Sequence, residues 1–193
     1  MKFRLVIQNI YFRCLGIIGS PKEEWIKIRE ENNSIRQLLI SFILLLMLIT
    51  ALASIIGGYI HRDGKHWSSA LLVIAGLKPV LTISVSLWSS ILAITPLIKT
   101  YGGKADPEIS SKLVFFSSLP LILVTIVLGM EPELYLLGLF SLYLFYIMHF
   151  GVQELTEIPS EKRSNFSTLA STMILVIYLI ANFILSAIFG AIH

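Results

Sequence analysis

Five apolar stretches, each near or above the length that crosses a lipid bilayer as a helix, constrain this chain more than any other feature. The hydrocarbon core of a bilayer is ~30 Å thick, and an α-helix spans it with about 20 residues. Only 14% of the residues are charged, against about 25% in a soluble domain. The sequence therefore predicts an all-α, polytopic membrane bundle of five transmembrane helices. The predicted spans are residues 36–60, 68–98, 109–128, 134–152 and 167–192.

The remainder of the chain is too small for a soluble catalytic or nucleic-acid-binding domain. Residues 1–35 precede the first span, and short loops join the others. We divide the chain into a cytoplasmic and interfacial segment, residues 1–35, and a transmembrane domain, residues 36–193. The net charge of +3 comes from basic residues spread along the chain, which favours contact with anionic lipid and no binding of nucleic acid.

The first eighteen residues have the apolar spacing of an amphipathic helix. We expect this helix to lie in the interface, against anionic headgroups. The alternative is that its apolar stripe packs against the bundle or a partner. A second short helix ends at Glu31, and its Trp25 is predicted to be an interfacial anchor. The stripe consists of Phe3, Ile7, Ile10, Cys14 and Ile17, widened by Val6, Tyr11 and Ile18.

The second span leaves two interpretations open, because Lys78-Pro79 interrupts it. Either one long kinked helix begins at residue 68, or residues 67–77 form a separate outer helix and Pro79 begins the crossing helix. The second interpretation uses the preference of proline for a first helical turn, and it places Lys78 at the outer interface, where its ammonium reaches water. On the first interpretation, Lys78 could face an aqueous or anion-binding cavity with hydroxyl neighbours such as Thr82.

Other local signals set the ends and bends of the spans. Asp106-Pro107 is a good cap and first-turn pair for the third span, and Pro120 predicts a kink within it. Ser54 and Gly58 in the first span are small residues four apart, a spacing that lets another helix approach closely. We expect this approach within the bundle rather than between copies.

Lysine and arginine counts predict the orientation. The N-terminal segment and the loops on its side carry twelve, and the opposite loops carry two, with Lys78 set aside. Basic residues concentrate on the cytoplasmic side of membrane proteins. We therefore expect a multi-pass protein of the cell membrane with a cytoplasmic N-terminus and an external C-terminus.

The sequence offers no catalytic, cofactor-binding or metal-binding set. No paired-histidine or phosphate-loop motif occurs, and the single Cys14 has no cysteine partner. All acidic residues fall in loops or at span ends, which argues against an ion-coupled carrier. Thr82, Ser86 and Ser90 place hydroxyls four residues apart, a spacing typical of hydrogen bonds between helices. The polar candidates within the bundle or at its rim are Lys78, Thr82, Ser86, His149 and Asn182.

Several short motifs, in order and at similar spacing over nearly the whole chain, resemble the Yip family, named for Ypt-interacting proteins. The resemblance is strongest to its short prokaryotic members. It implies a five-helix membrane domain with a cytosolic N-terminus. Eukaryotic relatives bind Rab-type GTPases, but this chain lacks their long soluble arm and acidic-aromatic Gly-Pro stretch, which puts GTPase binding in doubt here. The motifs are Pro21 with Trp25, Tyr101-Gly102-Gly103, Pro120, Tyr143, Gly151, and Pro159 with Lys162.

Three function classes follow from these observations. The favoured hypothesis is a non-enzymatic membrane-organising or scaffold protein, since polar chemistry at depth is sparse. Its expected partners are membrane lipids, other membrane proteins or a second copy of the chain. The alternative is a transporter, channel or lipid-translocating protein, which a hollow bundle would favour. An intramembrane enzyme comes last, because it needs convergent titratable residues.

Overall fold

A computed structural model describes residues 12–30, 35–61 and 69–190, with side chains from residue 42 in the second stretch and residue 71 in the third. Within these stretches the chain forms helices and no strands, which confirms the predicted all-α class. The predicted stripe residues Phe3, Ile7 and Ile10 lie outside them. The helices are α1 (residues 12–19), α2 (Pro21–Glu30), α3 (Ile35–His61), α4 (Ser69–Thr100), α5 (Pro107–Ser117), α6 (Leu119–Met130), a 3₁₀ helix (Pro132–Leu142), α7 (Tyr143–Leu155) and α8 (Ser160–Gly190).

Four helical segments of the described chain are long and apolar enough to cross a membrane, and a bent pair makes a fifth if it counts as one span. The bent pair is α5 and α6, whose axes differ by 41°. The bend lies at Ser118, and Pro120 follows in the first turn of α6, where its missing N–H costs no helical hydrogen bond. The predicted kink is confirmed. The four segments are Phe42–His61, Leu71–Thr100, Pro132–Leu155 and Ser160–Gly190.

The second predicted span is one continuous helix. α4 runs from Ser69 to Thr100 with Pro79 and Pro96 inside it, so residues 69–77 belong to the long helix and do not form a separate outer one. At 1.5 Å per residue its 32 residues cover ~48 Å. This length exceeds the ~30 Å core, so α4 must tilt or project beyond it.

The fourth predicted span changes helix type halfway. The eleven residues Pro132–Leu142, which include the first nine of the predicted span, form a 3₁₀ helix, and the rest of the span belongs to α7. A 3₁₀ helix rises ~2.0 Å per residue, so these residues cover ~22 Å instead of the ~17 Å of an α-helix. Ser141 is the one buried residue of the 3₁₀ stretch. The extra rise helps a short apolar stretch to cross, and periodicity did not predict it.

The third span lies at the centre of the bundle. Every residue from 112 to 120 is buried, as expected for a helix with neighbours on all sides. Phe116 meets the rings of Trp25 in α2 and Phe42 in α3, with centroids 5.7 Å and 6.4 Å away. The predicted cap is confirmed, because Asp106 Oδ1 accepts the Glu108 N–H at 2.8 Å.

Small residues bring α3 and α6 into backbone contact. A Cβ on Gly129 would lie 2.6 Å from Ser54 Oγ, and a Cβ on Gly57 would collide with the Gly129 carbonyl. The predicted close approach of Ser54 to another helix thus occurs within the bundle. Its small companion at this contact is Gly57, one residue before the predicted Gly58.

The bundle has two distinct ends. We call the end formed by residues 101–106, 156–159 and the C-terminus of α7 the docking end. Here Gly102 has φ +90, a left-handed conformation that favours glycine, and a Cβ on it would lie 3.5 Å from Pro159 Cδ. At the opposite end His61 Nε2 lies 3.3 Å from Glu131 Oε1 and 3.2 Å from the Met130 carbonyl oxygen.

Candidate functional site

The N-terminal helix pair, residues 12–30, is fastened to the docking end by Trp25. This side chain is fully buried, and its indole Nε1–H donates to the Ile147 carbonyl at 3.0 Å. The ring fits where α7 carries glycine, since a Cβ on Gly151 would lie 2.7 Å from Trp25 Cζ2. The Trp25 ring therefore occupies a slot in α7 that is open only because residue 151 is a glycine.

Polar contacts hold both ends of the same pair against α7. The Tyr143 hydroxyl donates to the Ile18 carbonyl at 2.8 Å, and Arg29 Nη1 lies 2.7 Å from Glu154 Oε2. Within the pair, Arg13 Nη1 lies 2.9 Å from Glu24 Oε1, and both side chains are largely buried. These contacts fix the orientation of α1 and α2 relative to the bundle.

This packing corrects the prediction that Trp25 is an interfacial anchor. An anchor at the headgroup level exposes part of its ring, whereas Trp25 has 0% exposure. Ile17 of the predicted stripe is also fully buried, so this part of the stripe faces protein. A different apolar pair on α1, Phe12 at 59% and Leu15 at 50% exposure, remains at the surface.

Burial also changes the chemistry of the single cysteine. Cys14 is half-buried where α1 packs, and this burial raises the pKa of its thiol to about 11. Moving a thiolate out of water is unfavourable, so the neutral form is retained. The thiol is therefore a packing group and a poor nucleophile at neutral pH.

The predicted hydroxyl stripe of α4 faces the bundle interior. Thr82, Ser86 and Ser90 are at most 4% exposed. The Thr82 hydroxyl donates to the Lys78 carbonyl at 2.9 Å, and the Ser86 hydroxyl donates to the Thr82 carbonyl. The predicted pattern was hydrogen bonding between helices, but these two bonds stay within α4. Ser90 is different, because its buried Oγ has no hydrogen-bond partner among the described residues.

A small pocket opens beside Ser90, next to the bend between α5 and α6. It has space for about one water molecule. Tyr178 of α8 contributes to its wall, and Tyr178 Oη lies 2.8 Å from Thr125 Oγ1 of α6. The pocket is thus the meeting point of α4, α6 and α8. Its lining residues are Ile83, Ser86, Leu87, Ser90, Ser118, Leu121, Ile122, Ile174 and Tyr178.

The remaining predicted candidates do not converge with this pocket. Lys78 is half-buried on α4 and lies ~33 Å along the helix axis from Thr100, about one core thickness. His149 is half-buried on α7, and its Nε2 lies 2.7 Å from Gln153 Nε2. Asn182 is exposed on α8. Among the five candidates, Lys78, Thr82 and Ser86 lie on the same face of α4. Of these three, only Ser86 lines the pocket.

No group of three or more potential metal ligands occurs among residues 12–30, 35–61 and 69–190.

The sequence analysis identified only some of the residues that form the docking end and the pocket. Gly151 entered through the family resemblance, and Ser90 through its four-residue spacing. The partnership of Thr125 with Tyr178 joins residues 53 apart, and no local signal predicts it.

The helices and their apolar surfaces define the class first: this is a polytopic α-helical membrane protein. The sequence model of the Yip1 domain matches residues 15–190, and the chain belongs to the Yip1 domain family. The resemblance drawn from the sequence motifs is thereby confirmed. Comparison with curated proteins and with solved structures found no match in either set.

Proposed function

We propose that this protein organises the membrane without enzymatic chemistry, through the shape of its transmembrane domain. The observation that carries the proposal is the docking of the N-terminal helix pair by Trp25. The two helices of this pair increase the cross-sectional area of the protein at the docking end. At the opposite end, only the membrane spans contribute to the cross-sectional area of the described residues.

The basic residues of the docking end support a position for this end in the cytoplasmic leaflet. Arg29, Lys99, Lys104 and Lys162 lie at this end and are exposed, and positive charge favours the cytoplasmic side. A protein that takes more area in one leaflet favours a bilayer that is convex on that side. We therefore propose that the protein concentrates where the membrane bulges toward the cytoplasm.

The exposed apolar pair on α1 supports lipid contact by the same helix. Phe12 and Leu15 are three residues apart and so project from one face of the helix. The opposite face carries Ile17, which is buried against the bundle. α1 therefore has a protein-facing side and an apolar outer side suited to the boundary between headgroups and acyl chains.

The interior supports the scaffold proposal over its alternative, transport of a solute or lipid. A transporter needs a polar path or cavity through the bundle. The pocket beside Ser90 has space for about one water molecule, and the other polar candidates are dispersed. An enzyme would need convergent acids, bases or nucleophiles, and the polar residues around this pocket are hydroxyls.

Curvature sorting tests the proposal. The purified full chain, fluorescently labelled, is reconstituted into vesicles of graded diameter, and vesicles with the docking end outward are scored. We expect the protein density per membrane area to rise as the diameter falls. Equal density on all diameters would overturn the proposal.

Two glycine variants provide a matched comparison. Gly151→Val places a side chain in the Trp25 slot and should weaken the docking, so the density should depend less on diameter. Gly138→Val is the control, because a Cβ there meets nothing within 4 Å. If Gly151→Val leaves the dependence of protein density on vesicle diameter unchanged, the docked helix pair is not what produces the curvature sorting.

A further inference from the structure

The apolar stretch of α8 carries an amide that the bundle leaves uncovered. Only 11% of this stretch is buried, against 22–33% for the other three long apolar segments. Between Leu169 and Gly190 the exposed polar side chains are Thr172 and Asn182. Thr172 Oγ1 donates to the Thr168 carbonyl at 2.9 Å, so its proton is used within the helix. The Asn182 amide makes no hydrogen bond with the described part of the chain.

Asn182 lies within the hydrocarbon core. Leu169 is the first exposed apolar residue of α8, and Asn182 follows it by a rise of ~20 Å, whereas the core is ~30 Å thick. Acyl chains offer no hydrogen-bond partner, so an amide exposed at this depth is unfavourable unless a protein group reaches it. Its exposed neighbours at this depth are apolar: Leu179, Ile180, Phe183 and Ile184.

Asn182 shares a face of α8 with two small residues. Ser186 and Gly190 follow it at four-residue steps, so the three residues lie on one side of the helix. Ser186 is half-buried, and a Cβ on Gly190 would meet nothing within 4 Å. A second helix has room to approach this face closely enough for the amide to reach it.

The chemistry of the amide indicates what the second helix carries. A carboxamide has two N–H donors and an acceptor oxygen, so it is complementary to another carboxamide. The basic residues favour one orientation for every copy of the chain. A two-fold axis along the membrane normal therefore brings identical residues of two copies together at the same depth, and Asn182 of each copy can donate to the other.

We propose that two copies of this chain associate through the face of Asn182, Ser186 and Gly190, with Asn182 hydrogen-bonded to its counterpart. Polar side chains between transmembrane helices stabilise their association, and a single asparagine fixes the register of paired helices. Asn182 lies ~33 Å along α8 from Ser160, which begins the helix beside the docking end. The association consequently does not require the docked helix pair.

Disulfide trapping in the membrane tests the proposal on the full chain. In a Cys14→Ser background, Ser186→Cys places a thiol one turn from Asn182 and leaves the amide in place. Ile184→Cys is the matched control, because Ile184 is 49% exposed at nearly the same depth but lies ~160° around the helix. After mild oxidation of the membranes, we expect disulfide-linked dimers for Ser186→Cys and few for Ile184→Cys.

Removing the amide gives a second measurement. Copies carrying Cys14→Ser and Ser160→Cys are labelled with donor or acceptor fluorophores, and energy transfer at graded protein-to-lipid ratios gives the dissociation constant. We expect Asn182→Leu to raise this constant ~10-fold, because the hydrogen bonds between the two amides are lost. Asn182→Gln retains the amide and should raise the constant less.

The outcomes distinguish a second copy from other occupants of this face. Equal disulfide linkage of Ser186→Cys and Ile184→Cys, or linkage of neither, would overturn the proposal. An unchanged dissociation constant for Asn182→Leu would overturn it as well. Energy transfer that stays absent at every protein-to-lipid ratio would assign the face to lipid or to a different membrane protein.

Discussion

The indole of Trp25 donates its Nε1–H to the carbonyl of Ile147, 122 residues further along the chain, at 3.0 Å. This bond ties the N-terminal helix pair to the fourth span. The fully buried ring of Trp25 adds the free energy of a large apolar group removed from water. The pair is consequently part of the folded bundle and shares its stability.

Truncating Trp25 should be among the most destabilising single changes. We expect Trp25→Ala to lower the free energy of unfolding by ~3–5 kcal/mol, because it opens a large cavity. Trp88→Ala is the matched control, since Trp88 is 69% exposed on α4. Chemical unfolding in a mild detergent measures both. Similar losses for the two variants would contradict the docked position of Trp25.

Alkylation of Cys14 should report docking of the helix pair. With a thiol pKa of about 11, about one molecule in a thousand carries a thiolate at pH 8. We expect slow reaction with iodoacetamide at pH 8, accelerating as the pH approaches 11. Trp25→Ala should increase the rate at pH 8, because undocking exposes the thiol. Ser160→Cys in a Cys14→Ser background gives the rate of an exposed cysteine, and wild-type labelling at that rate would contradict the burial.

The orientation of the chain can be read by labelling single cysteines from outside. In a Cys14→Ser background, a membrane-impermeant maleimide should modify Glu133→Cys and miss Lys104→Cys and Ser160→Cys. All three positions are exposed, so access depends on the side of the membrane. The expectation follows from the concentration of basic residues on one side. Outside labelling at Lys104→Cys would reverse the topology.

Lys78 should tolerate loss of its charge. It lies about one core thickness from Thr100, so we expect its long side chain to reach the outer headgroup region. We expect Lys78→Gln and Lys78→Arg to change the free energy of unfolding by less than ~0.5 kcal/mol. A larger loss for Lys78→Gln than for Lys78→Arg would instead indicate a required buried cation.

Local physical chemistry let the sequence predict much of the architecture. Apolar length identified the spans because a bilayer core has a fixed thickness. Asp106 and Pro120 marked a cap and a kink because both act on backbone groups within a few residues. The Lys78-Pro79 pair was ambiguous, because a proline can either begin a helix or interrupt one. The continuous path of α4 through Pro79 decided between these two interpretations.

The tertiary structure decided the parts that depend on distant partners. The amphipathic pattern around Trp25 suits lipid and protein equally, and burial against Gly151, Ile147 and Phe116 requires three-dimensional proximity. The contact of Tyr178 in α8 with Thr125 in α6 likewise joins residues 53 apart in the chain. By itself, the sequence determined which segments enter the membrane, because that choice depends on the solvent preference of each segment. Which faces meet was decided only by packing, because several helices offer apolar faces and shape complementarity selects among them.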